Sequence, residues 1–254
     1  MTASIRIVDT GLASARWNVA MTAALAERHR AGLTRDTIRF HRYPACVLVG
    51  RSQDVTQAAD LDYCRTQGIE IARRVTGGGA VYMSPRMLAW DVIVDRGVFG
   101  ADLKGIMRRI GAGVAAGLAR YGVPARFRAP NDIEIGGLKV SGSSGYIDGR
   151  SAALQGTVLI EDETSAMAHA LRIPESALRE RVTNLADTLG RPLAMTDIRD
   201  CIVWELSSAL QRTPAIGQPS TDEIACAERL LDEEIGTDEF VMGVAPPPLA
   251  KGVA

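Results

Sequence analysis

The sequence has little aromatic content, almost no net charge and no long apolar run. Aromatic residues make up 5% of its 254 residues, and the formal net charge is −1. Few rings are therefore present to stack on nucleic-acid bases, and no overall charge attracts nucleic acid or an anionic membrane surface. No stretch approaches the ~18 apolar residues of a membrane span, and the first residues lack the apolar segment of a signal peptide. We expect a cytoplasmic protein that acts on neither nucleic acid nor membrane.

Cysteine is scarce, and its spacing gives no support for a disulfide framework or a zinc site. The chain has Cys46, Cys64, Cys201 and Cys226, which form no C-x-x-C pair. No histidine lies at metal-ligand spacing from any of them. Free thiols of this kind are typical of a reducing compartment.

The apolar pattern predicts an α+β fold in which a mixed or antiparallel sheet is flanked by helices. Hydrophobic residues make up 46% of the chain, which is enough for a substantial core. Period-two and short apolar runs predict strands over residues 5–8, 37–41, 45–49, 69–75, 87–94, 133–135, 138–140 and 157–160. Helical spacing predicts helices over residues 13–30, 60–66, 101–121, 164–171, part of 178–189, 196–211 and 221–234. We assign residues 1–243 to one domain, with 190–243 mostly helical, and residues 244–254 to a proline-rich flexible tail.

Three consecutive glycines, Gly77, Gly78 and Gly79, lie between two arginines and an apolar run. Glycine tolerates positive φ and lets a ligand approach the backbone, and consecutive N–H groups can form an anion-binding nest. Arg74 adds a bidentate donor suited to phosphate or carboxylate, and Thr76 adds a hydroxyl. The G-x-x-x-x-G-K-[ST] and G-x-G-x-x-G spacings are absent. A strained hairpin without a ligand is therefore the alternative interpretation.

A second glycine-rich stretch surrounds a lysine. Gly136 and Gly137 predict a two-residue hairpin turn, and Lys139 follows on the returning strand. It alternates with Leu138 and Val140, so we expect it to face away from them. A fixed ammonium there can stabilise the negative charge that develops when a carboxylate attacks a nucleotide phosphate. On its residues alone, the pattern favours a surface lysine on an edge strand, where lysine discourages aggregation.

The combined motifs resemble the lipoate–protein ligase family. They are R-R-x-[ST]-G-G-G-A-V at 73–81, N-D at 131–132, K-[VI]-S-G-S at 139–143 and G-T-[VL]-L at 156–159. No one of these motifs is specific by itself, but together they are. The resemblance covers most of the chain up to residue 190, and the family belongs to a wider group with biotin–protein ligases and octanoyl transferases. It implies that residues 1–243 form a biotin/lipoate protein ligase-like catalytic domain.

The resemblance implies a site that activates a carboxylic acid with ATP and Mg²⁺. The implied reaction makes lipoyl-AMP from lipoate and then attaches the lipoyl group to a lysine of a lipoyl-carrier protein, either a lipoyl domain or a protein like the H protein of glycine cleavage. Lys139 matches the family's shared catalytic lysine. The residues implied to bind ATP or lipoyl-AMP are Arg74, Thr76, Gly77, Gly78, Gly79, Ala80, Val81, Tyr82, Asn131, Asp132, Lys139, Ser141 and Gly142.

Asp132 is the candidate ligand for Mg²⁺. An aspartate near a triphosphate commonly holds this ion through its carboxylate oxygens, while the metal also bridges phosphates. An Asx turn that starts the strand is the alternative interpretation of the Asn131–Asp132 pair.

The chain departs from the family pattern in three places. Met83 and Ser84 stand where His-Asp is frequent, and Gln155 stands for the histidine of H-G-T. Neither change removes an expected adenylation group, but both bear on acyl and acceptor preference. Tyr146 occupies the position of an arginine found in some ligases, which weakens one expected phosphate contact.

Three other functions fit the same fold. A cofactor-free octanoyl or lipoyl transferase needs a cysteine nucleophile, but Arg126 occupies the cysteine position of one transferase branch and residues 151–155 of the other contain no cysteine. A non-catalytic lipoyl-binding module is disfavoured because Arg74, the glycines and Lys139 are all present. A biotin–protein ligase would show a G-R-G-R loop, which is absent.

The resemblance also implies a second polypeptide. Single-chain ligases of this family often carry a small C-terminal accessory domain, but only about a dozen residues follow Phe240, too few for a packed domain. Members of this length are typically paired with a separately encoded small subunit. We therefore expect a small accessory partner in addition to the carrier protein.

Overall fold

The structure is a computed structural model that describes residues 3–99 and 102–243. The tail predicted over residues 244–254 lies outside the described residues. The strands are β1 (Ser4–Leu12), β2 (Thr37–Arg42), β3 (Cys46–Val49), β4 (Glu70–Arg73), β5 (Val81–Met83), β6 (Met87–Asp95), β7 (Arg126–Arg128), β8 (Asp132–Ile135), β9 (Leu138–Asp148), β10 (Ser151–Leu159) and β11 (Thr213–Ile216). The helices are α1 (Ala15–Arg30), α2 (Val55–Ala58), α3 (Leu61–Thr66), α4 (Arg96–Phe99), α5 (Leu103–Arg120), α6 (Thr164–Leu171), α7 (Glu175–Arg179), α8 (Leu185–Leu189), α9 (Met195–Ala209), α10 (Thr221–Leu230) and α11 (Asp238–Met242). A π-helical turn, Leu231–Ile235, lies between α10 and α11.

The strands form two sheets. The larger has the order β11-β1-β2-β6-β10-β9-β8-β7, and the smaller has the order β4-β3-β5. In the larger sheet β1 is parallel to both β11 and β2, whereas the other neighbours are antiparallel. The prediction of an α+β fold with a mixed sheet flanked by helices is confirmed.

The larger sheet separates two hydrophobic cores, because successive side chains of each strand point to opposite faces. In β2, Ile38 and Phe40 belong to the core that also contains apolar residues of α5 and α9. In β6, Ala89 and Ile93 belong to the opposite core, which contains residues of α1, the smaller sheet and α10. The loop that contains Gly77, Gly78 and Gly79, here called the glycine loop, joins β4 to β5. The smaller sheet therefore positions it on the side of the larger sheet that packs against α1.

Close packing of α5 on α9 explains two glycines in a long helix. The side chain of Asp102 caps α5 by accepting from the N–H of Gly105 at 2.7 Å. A Cβ on Gly117 would lie 2.5 Å from the Cα of Ile202, and one on Gly113 would lie 3.1 Å from the Cα of Leu206. The two glycines therefore let α9 approach the backbone of α5.

The structure corrects several predicted elements. β9 and β10 form a hairpin much longer than the predicted strands 138–140 and 157–160, and β5, β7, β11 and α4 were not predicted. The extra hairpin residues are mainly Ser, Gly and Ala, which give no apolar alternation. The mostly helical end, 190–243, contributes β11 as an edge strand parallel to β1. The helix predicted over 221–234 ends its α-helical part at Leu230. Within the described part of the chain, no helix has the length and apolar character needed to cross a bilayer.

Candidate functional site

The Arg74 side chain is buried beneath the glycine loop and donates hydrogen bonds to its carbonyls. It is 4% exposed, and its guanidinium donates to the carbonyls of Leu48 (2.6 Å), Gly77 (3.0 Å) and Gly79 (2.9 Å). Burial lowers the pKa of Arg74 to about 10, so the side chain stays charged near neutral pH. The predicted anion-binding arginine therefore lies at the loop, and most of its donors engage loop and strand carbonyls.

The three glycines of the loop differ in backbone conformation and in the space around them. Gly78 has a φ of +95°, which residues with a Cβ rarely adopt. A Cβ on Gly77 or Gly79 would meet no atom within 4 Å. The loop thus combines one strained backbone position with open space on either side of it, into which a ligand could fit.

The Thr76 hydroxyl links the glycine loop to the larger sheet through hydrogen bonds. It donates to Oε1 of Gln155 on β10 at 2.7 Å and accepts from the Ser144 hydroxyl on β9 at 2.9 Å. Thr76 is 1% exposed. Gln155 therefore acts as a hydrogen-bond acceptor for the loop. This contact was not predicted, because nothing in the spacing relates residue 76 to residue 155.

Ala80, Val81 and Tyr82 continue from the loop into β5 and pack against the core that contains α1. Tyr82 is 4% exposed, and its hydroxyl lies 3.5 Å from Oε2 of Glu163. Burial and the nearby Glu163 raise the pKa of Tyr82 to about 12. These residues therefore connect the glycine loop to the hydrophobic core.

A second loop, residues 50–53, supports the glycine loop from behind. A Cβ on Gly50 would lie 1.9 Å from the carbonyl oxygen of Gly78. The N–H of Arg51 donates to the carbonyl of Thr76 at 3.0 Å, and the side chain of Gln53 accepts from the N–H of Gly50 at 2.9 Å. Residues 50–53 therefore pack against the glycine loop and hydrogen-bond to it.

Arg73 joins this second loop to the end of the described chain. It is 1% exposed and donates only to backbone carbonyls. The acceptors are Gly50, Arg51, Gln53, Phe240, Val241 and Gly243, at 2.7–3.2 Å. A single buried guanidinium thus connects the loop to α11, a link that the sequence did not reveal.

Lys139 lies at the start of β9, where its side chain folds back over a glycine. Its Nζ lies 2.6 Å from Oδ1 of Asp132 on β8, and a Cβ on Gly142 would lie 2.7 Å from the same nitrogen. Its backbone N–H donates to the carbonyl of Arg181, and its carbonyl accepts from the N–H of Thr183. Gly142 therefore makes room for the ammonium, which is half exposed beside a carboxylate.

The strict alternation predicted around Lys139 is interrupted by an irregularity in the ladder. Glu134 pairs with Lys139, but Ile133 pairs with Ser141, so Val140 is an extra residue on β9. Val140 and Ser141 are both buried, at 0% and 1% exposure. The irregularity changes the direction of β9 next to Lys139, as such features commonly do beside functional sites.

Asn131 and Asp132 have different partners. The Asn131 side chain donates to the carbonyl of Ser143 at 2.7 Å and so braces the hairpin. Asp132 contacts two cations, Lys139 and the guanidinium of Arg128 at 3.2 Å. Among residues 3–99 and 102–243, no group of three or more His, Cys, Asp or Glu side chains could hold a metal. A metal at Asp132 would therefore depend on oxygens supplied by phosphate and water.

Ser141 and Gly142 complete the predicted set. Ser141 has a buried hydroxyl without a hydrogen-bond partner among the described residues. Lys139 and Ser144 lie on the same strand, so β9 links the lysine to the position where Thr76 fastens the glycine loop. The glycine loop therefore contacts, through Thr76, the same strand that carries Lys139.

The cysteines lie elsewhere. Cys46 on β3 and Cys64 in α3 are buried, and burial raises the pKa of both thiols. Cys226 in α10 lies 3.7 Å from Oε1 of Glu27, and its pKa is also raised, chiefly by burial. Cys201 is in α9, which packs on α5. None of the four is on β7, β9 or β10.

A buried ion pair lies on the face of the larger sheet that packs against α1. Arg39 on β2 and Asp91 on β6 are both 0% exposed, with 2.9 Å between Nη1 and Oδ2. Thr22 of α1 donates to the same carboxylate oxygen at 2.9 Å. Burial raises the pKa of Asp91 to about 6, while Arg39 opposes that rise. Asp91 pairs in register with Gln155, so this network lies directly beside the acceptor of Thr76.

The structure is an α+β domain in which two glycine-rich motifs contact one strand of the larger sheet, and the family comparison identifies the class of protein to which it belongs. The model of the lipoyl protein ligase A/B catalytic domain matches residues 14–207, and the chain belongs to this family. The octanoyltransferase LipM of Symbiobacterium thermophilum is 28% identical over 268 residues, covering 93% of this chain and 97% of its own. The lipoate-protein ligase A subunit 1 of Thermoplasma acidophilum is 26% identical over 225 residues, covering 82% and 84%.

Solved structures agree with the fold. A crystal structure of lipoate-protein ligase A bound with ATP has a TM-score of 0.86 and 25% identity, covering 96% of this chain and 100% of its own. A bi-partite lipoate protein ligase from Thermoplasma acidophilum, described with its E2 lipoyl domain, has a TM-score of 0.84 and 24% identity, covering 98% and 100%. The relatives include both ligases and transferases, so family membership leaves the choice between them to the residues.

Proposed function

We propose that the chain is an ATP-dependent lipoate–protein ligase. In the first step the lipoate carboxylate attacks the α-phosphate of ATP, and the bond to the departing pyrophosphate breaks. In the second step a lysine amine of a lipoyl-carrier protein attacks the acyl carbon of lipoyl-AMP, forming an amide and releasing AMP and a proton. A carboxylate is a poor electrophile, and the adenylate gives it a leaving group.

The observation that carries this proposal is the position of Lys139. Its ammonium, folded over Gly142 at one end of β9, can meet negative charge on both the carboxylate and the α-phosphate during adenylation. The glycine loop contacts the same strand further along, where Ser144 hydrogen-bonds to Thr76. It offers backbone N–H groups and open space for the nucleotide. The remaining predicted residues of the two motifs surround these groups, and we assign them to binding ATP and lipoyl-AMP.

Mg²⁺ fits as a partner of the nucleotide. Bound there, the ion would neutralise phosphate charge. Asp132 supplies a carboxylate beside Lys139, and its contacts with Lys139 and Arg128 orient it. Asp132 is therefore our candidate ligand, with the other ligands coming from phosphate and water.

The thiols support ligase over transferase. An acyl transferase without ATP must carry the acyl group on a cysteine, and the thiolate is the reactive form. Burial disfavours the thiolates of Cys46, Cys64 and Cys226, and the transferase positions hold Arg126 and a stretch, 151–155, without cysteine. Because the proposed reaction uses ATP and the thiols are free, we assign it to the cytoplasm.

The partners we propose are a lipoyl-carrier protein and a small accessory subunit. The support comes from the Thermoplasma relative, whose name is subunit 1 and whose ligase is described as bi-partite together with an E2 lipoyl domain. A small subunit that closes over the adenylate would exclude water, as lids do in other enzymes. Lipoylation by the chain alone, compared with the chain plus the candidate subunit, tests this. Equal rates would remove the subunit from the proposal.

The decisive experiment combines the chain, ATP, Mg²⁺, lipoate and a lipoyl domain, with intact mass as the readout. We expect ATP-dependent addition of one lipoyl group, and Lys139→Ala should lower lipoyl-AMP formation by ~10²–10³. Lys104→Ala, which changes another lysine of the chain on the exposed side of α5, is the matched control and should retain the wild-type rate. Acyl transfer from an acyl-carrier thioester without ATP would instead identify a transferase.

A further inference from the structure

Gln155 has an amide of which only one end is used. It is 8% exposed, and its Oε1 accepts from the Thr76 hydroxyl at 2.7 Å. This bond fixes the amide, so the two N–H donors of Nε2 point in another direction. Its cross-strand neighbour Asp91 does not accept from them, because Oδ2 accepts from Thr22 and Arg39 and Oδ1 has no partner among the described residues. Nε2 likewise has no partner in the described part of the chain.

A second unused donor, the Tyr146 hydroxyl, lies on the same face of the sheet. Ser144 pairs with Gln155 in the ladder, and Tyr146 follows Ser144 by two residues on β9. Tyr146 and Gln155 are thus diagonal neighbours, close enough to contact one group of a ligand. The Tyr146 hydroxyl has no hydrogen-bond partner within residues 3–99 and 102–243. Burial raises the pKa of Tyr146, so the phenol stays protonated and keeps its O–H donor.

Both donors keep accessible surface, in contrast to other polar atoms of this face. Oδ1 of Asp91 and the Tyr43 hydroxyl are sealed in the interior without a partner, whereas Nε2 of Gln155 and the Tyr146 hydroxyl are not among the sealed atoms. Polar groups in a protein interior are normally hydrogen-bonded. Two neighbouring donors of nearly buried or half-buried side chains that reach open space therefore indicate an acceptor from outside the chain.

Strand β9 sets the distance between these donors and Lys139. The Lys139 ammonium lies over Gly142. Ser144 and Tyr146 follow on the same face at ~3.4 Å per residue, which places them about 7 Å and about 13 Å further along the strand. Gln155 lies beside Ser144 on β10. An acid whose carboxylate meets Lys139 and whose chain follows β9 would therefore bring the far part of a medium-length chain to Gln155 and Tyr146.

We propose that Gln155 and Tyr146 select a medium-chain acid that carries an oxygen acceptor in the far part of its chain. This inference rests on the proposed activation of an acid at Lys139 and names the class of acid that the site prefers. A plain alkyl chain would cover both donors without pairing them, which is costly. A carbonyl oxygen on the chain has two lone pairs and can accept from both. Lipoate, whose sulfurs are weak acceptors, should bind between these two kinds of acid.

Isothermal titration of the full chain with octanoate and with 7-oxooctanoate tests the proposal. We expect 7-oxooctanoate to bind roughly tenfold more tightly, because it pairs two donors that octanoate leaves unpaired. Tyr146→Phe removes only the O–H and should reduce this preference to about threefold, with the affinity for octanoate unchanged. Gln155→Glu, which keeps an oxygen for Thr76 but loses the amide donor, should also reduce it. Tyr121→Phe, at the C-cap of α5 on the opposite face of the sheet, is the matched control and should retain the wild-type preference.

Two results would overturn the proposal. One is a wild-type chain that fails to bind 7-oxooctanoate more tightly than octanoate, which would leave the two donors to water. The other is a folded Tyr146→Phe variant, as judged by thermal unfolding, that loses affinity for both acids equally, since its hydroxyl would then not distinguish the chains. Pyrophosphate release from ATP tests the ligase proposal separately. Its absence with every acid would remove ATP-dependent activation, whereas the ratio of the two affinities would still decide the preference for an oxygen acceptor.

Discussion

Replacing Gly50 by alanine tests whether the position of the glycine loop limits acyl activation. The added Cβ would lie 1.9 Å from the carbonyl oxygen of Gly78, whereas ordinary contact begins at 3.4 Å. The obstacle is backbone, not a flexible side chain, so the two loops must separate by about 1.5 Å. Arg74 holds the carbonyls on either side of Gly78, so the displacement moves the loop as a unit.

The expected loss is large in rate and moderate in stability. A misplacement of about 1 Å can cost ~10²-fold in an enzymatic rate, and overpacking typically costs about 1–3 kcal/mol of unfolding free energy. We expect pyrophosphate release from ATP and lipoate by Gly50→Ala to fall by ~10² or more, while a cooperative thermal transition persists. A single-turnover measurement at saturating ATP and lipoate separates this effect from weaker binding.

The matched control is Gly97→Ala. A Cβ at Gly97 would meet only Oδ1 of Asp95, at 3.2 Å, and Gly97 lies in α4, where alanine is favoured over glycine. We expect wild-type activation from this variant. The reasoning is refuted if Gly50→Ala activates lipoate within a few-fold of the wild-type rate, because the loop position would then not matter.

Two further predictions concern the thiols and the buried ion pair. A variant with all four cysteines replaced by serine should still lipoylate a lipoyl domain with ATP, and an acyl thioester trapped on any cysteine by mass spectrometry would contradict the ligase proposal. Asp91→Asn should lower the unfolding free energy by about 3–5 kcal/mol in urea titration, because it leaves the buried Arg39 without a counter-charge. Asp62→Asn, which breaks the exposed pair with Arg65, should change it by less than ~1 kcal/mol, and equal effects of the two substitutions would exclude a special role for burial.

The sequence predicted the element types better than their extents. Strongly periodic segments such as α5 were found because apolar residues recur along one face. The long β9–β10 hairpin was underestimated because Ser, Gly and Ala dominate it, and its pairing with β6 compensates for their weak strand preference. β11 was missed because an edge strand that begins Thr213–Pro214 lacks any apolar alternation.

The candidate site was predicted through motifs, whereas its supports were not. The three glycines leave a local signature in the backbone, whereas Lys139 became a candidate through the family resemblance, because its own surroundings in the sequence favoured a surface lysine. The contact of Thr76 with Gln155 spans 79 positions, and that of Arg73 with Val241 spans 168. Contacts between distant parts of a chain depend on the tertiary fold and have no pattern in a local window.

The Arg73 guanidinium also determines how α11 behaves under thermal fluctuation. A short helix of this kind would normally fray independently of the rest of a domain. Here its carbonyls share one cation with residues 50–53, so opening either segment removes some of the hydrogen-bond acceptors of a buried guanidinium. We expect the amides of both segments to exchange with deuterium in a single opening event of common free energy. α11 and residues 50–53 would then belong to one cooperative unit, although nearly 190 positions separate them in the sequence.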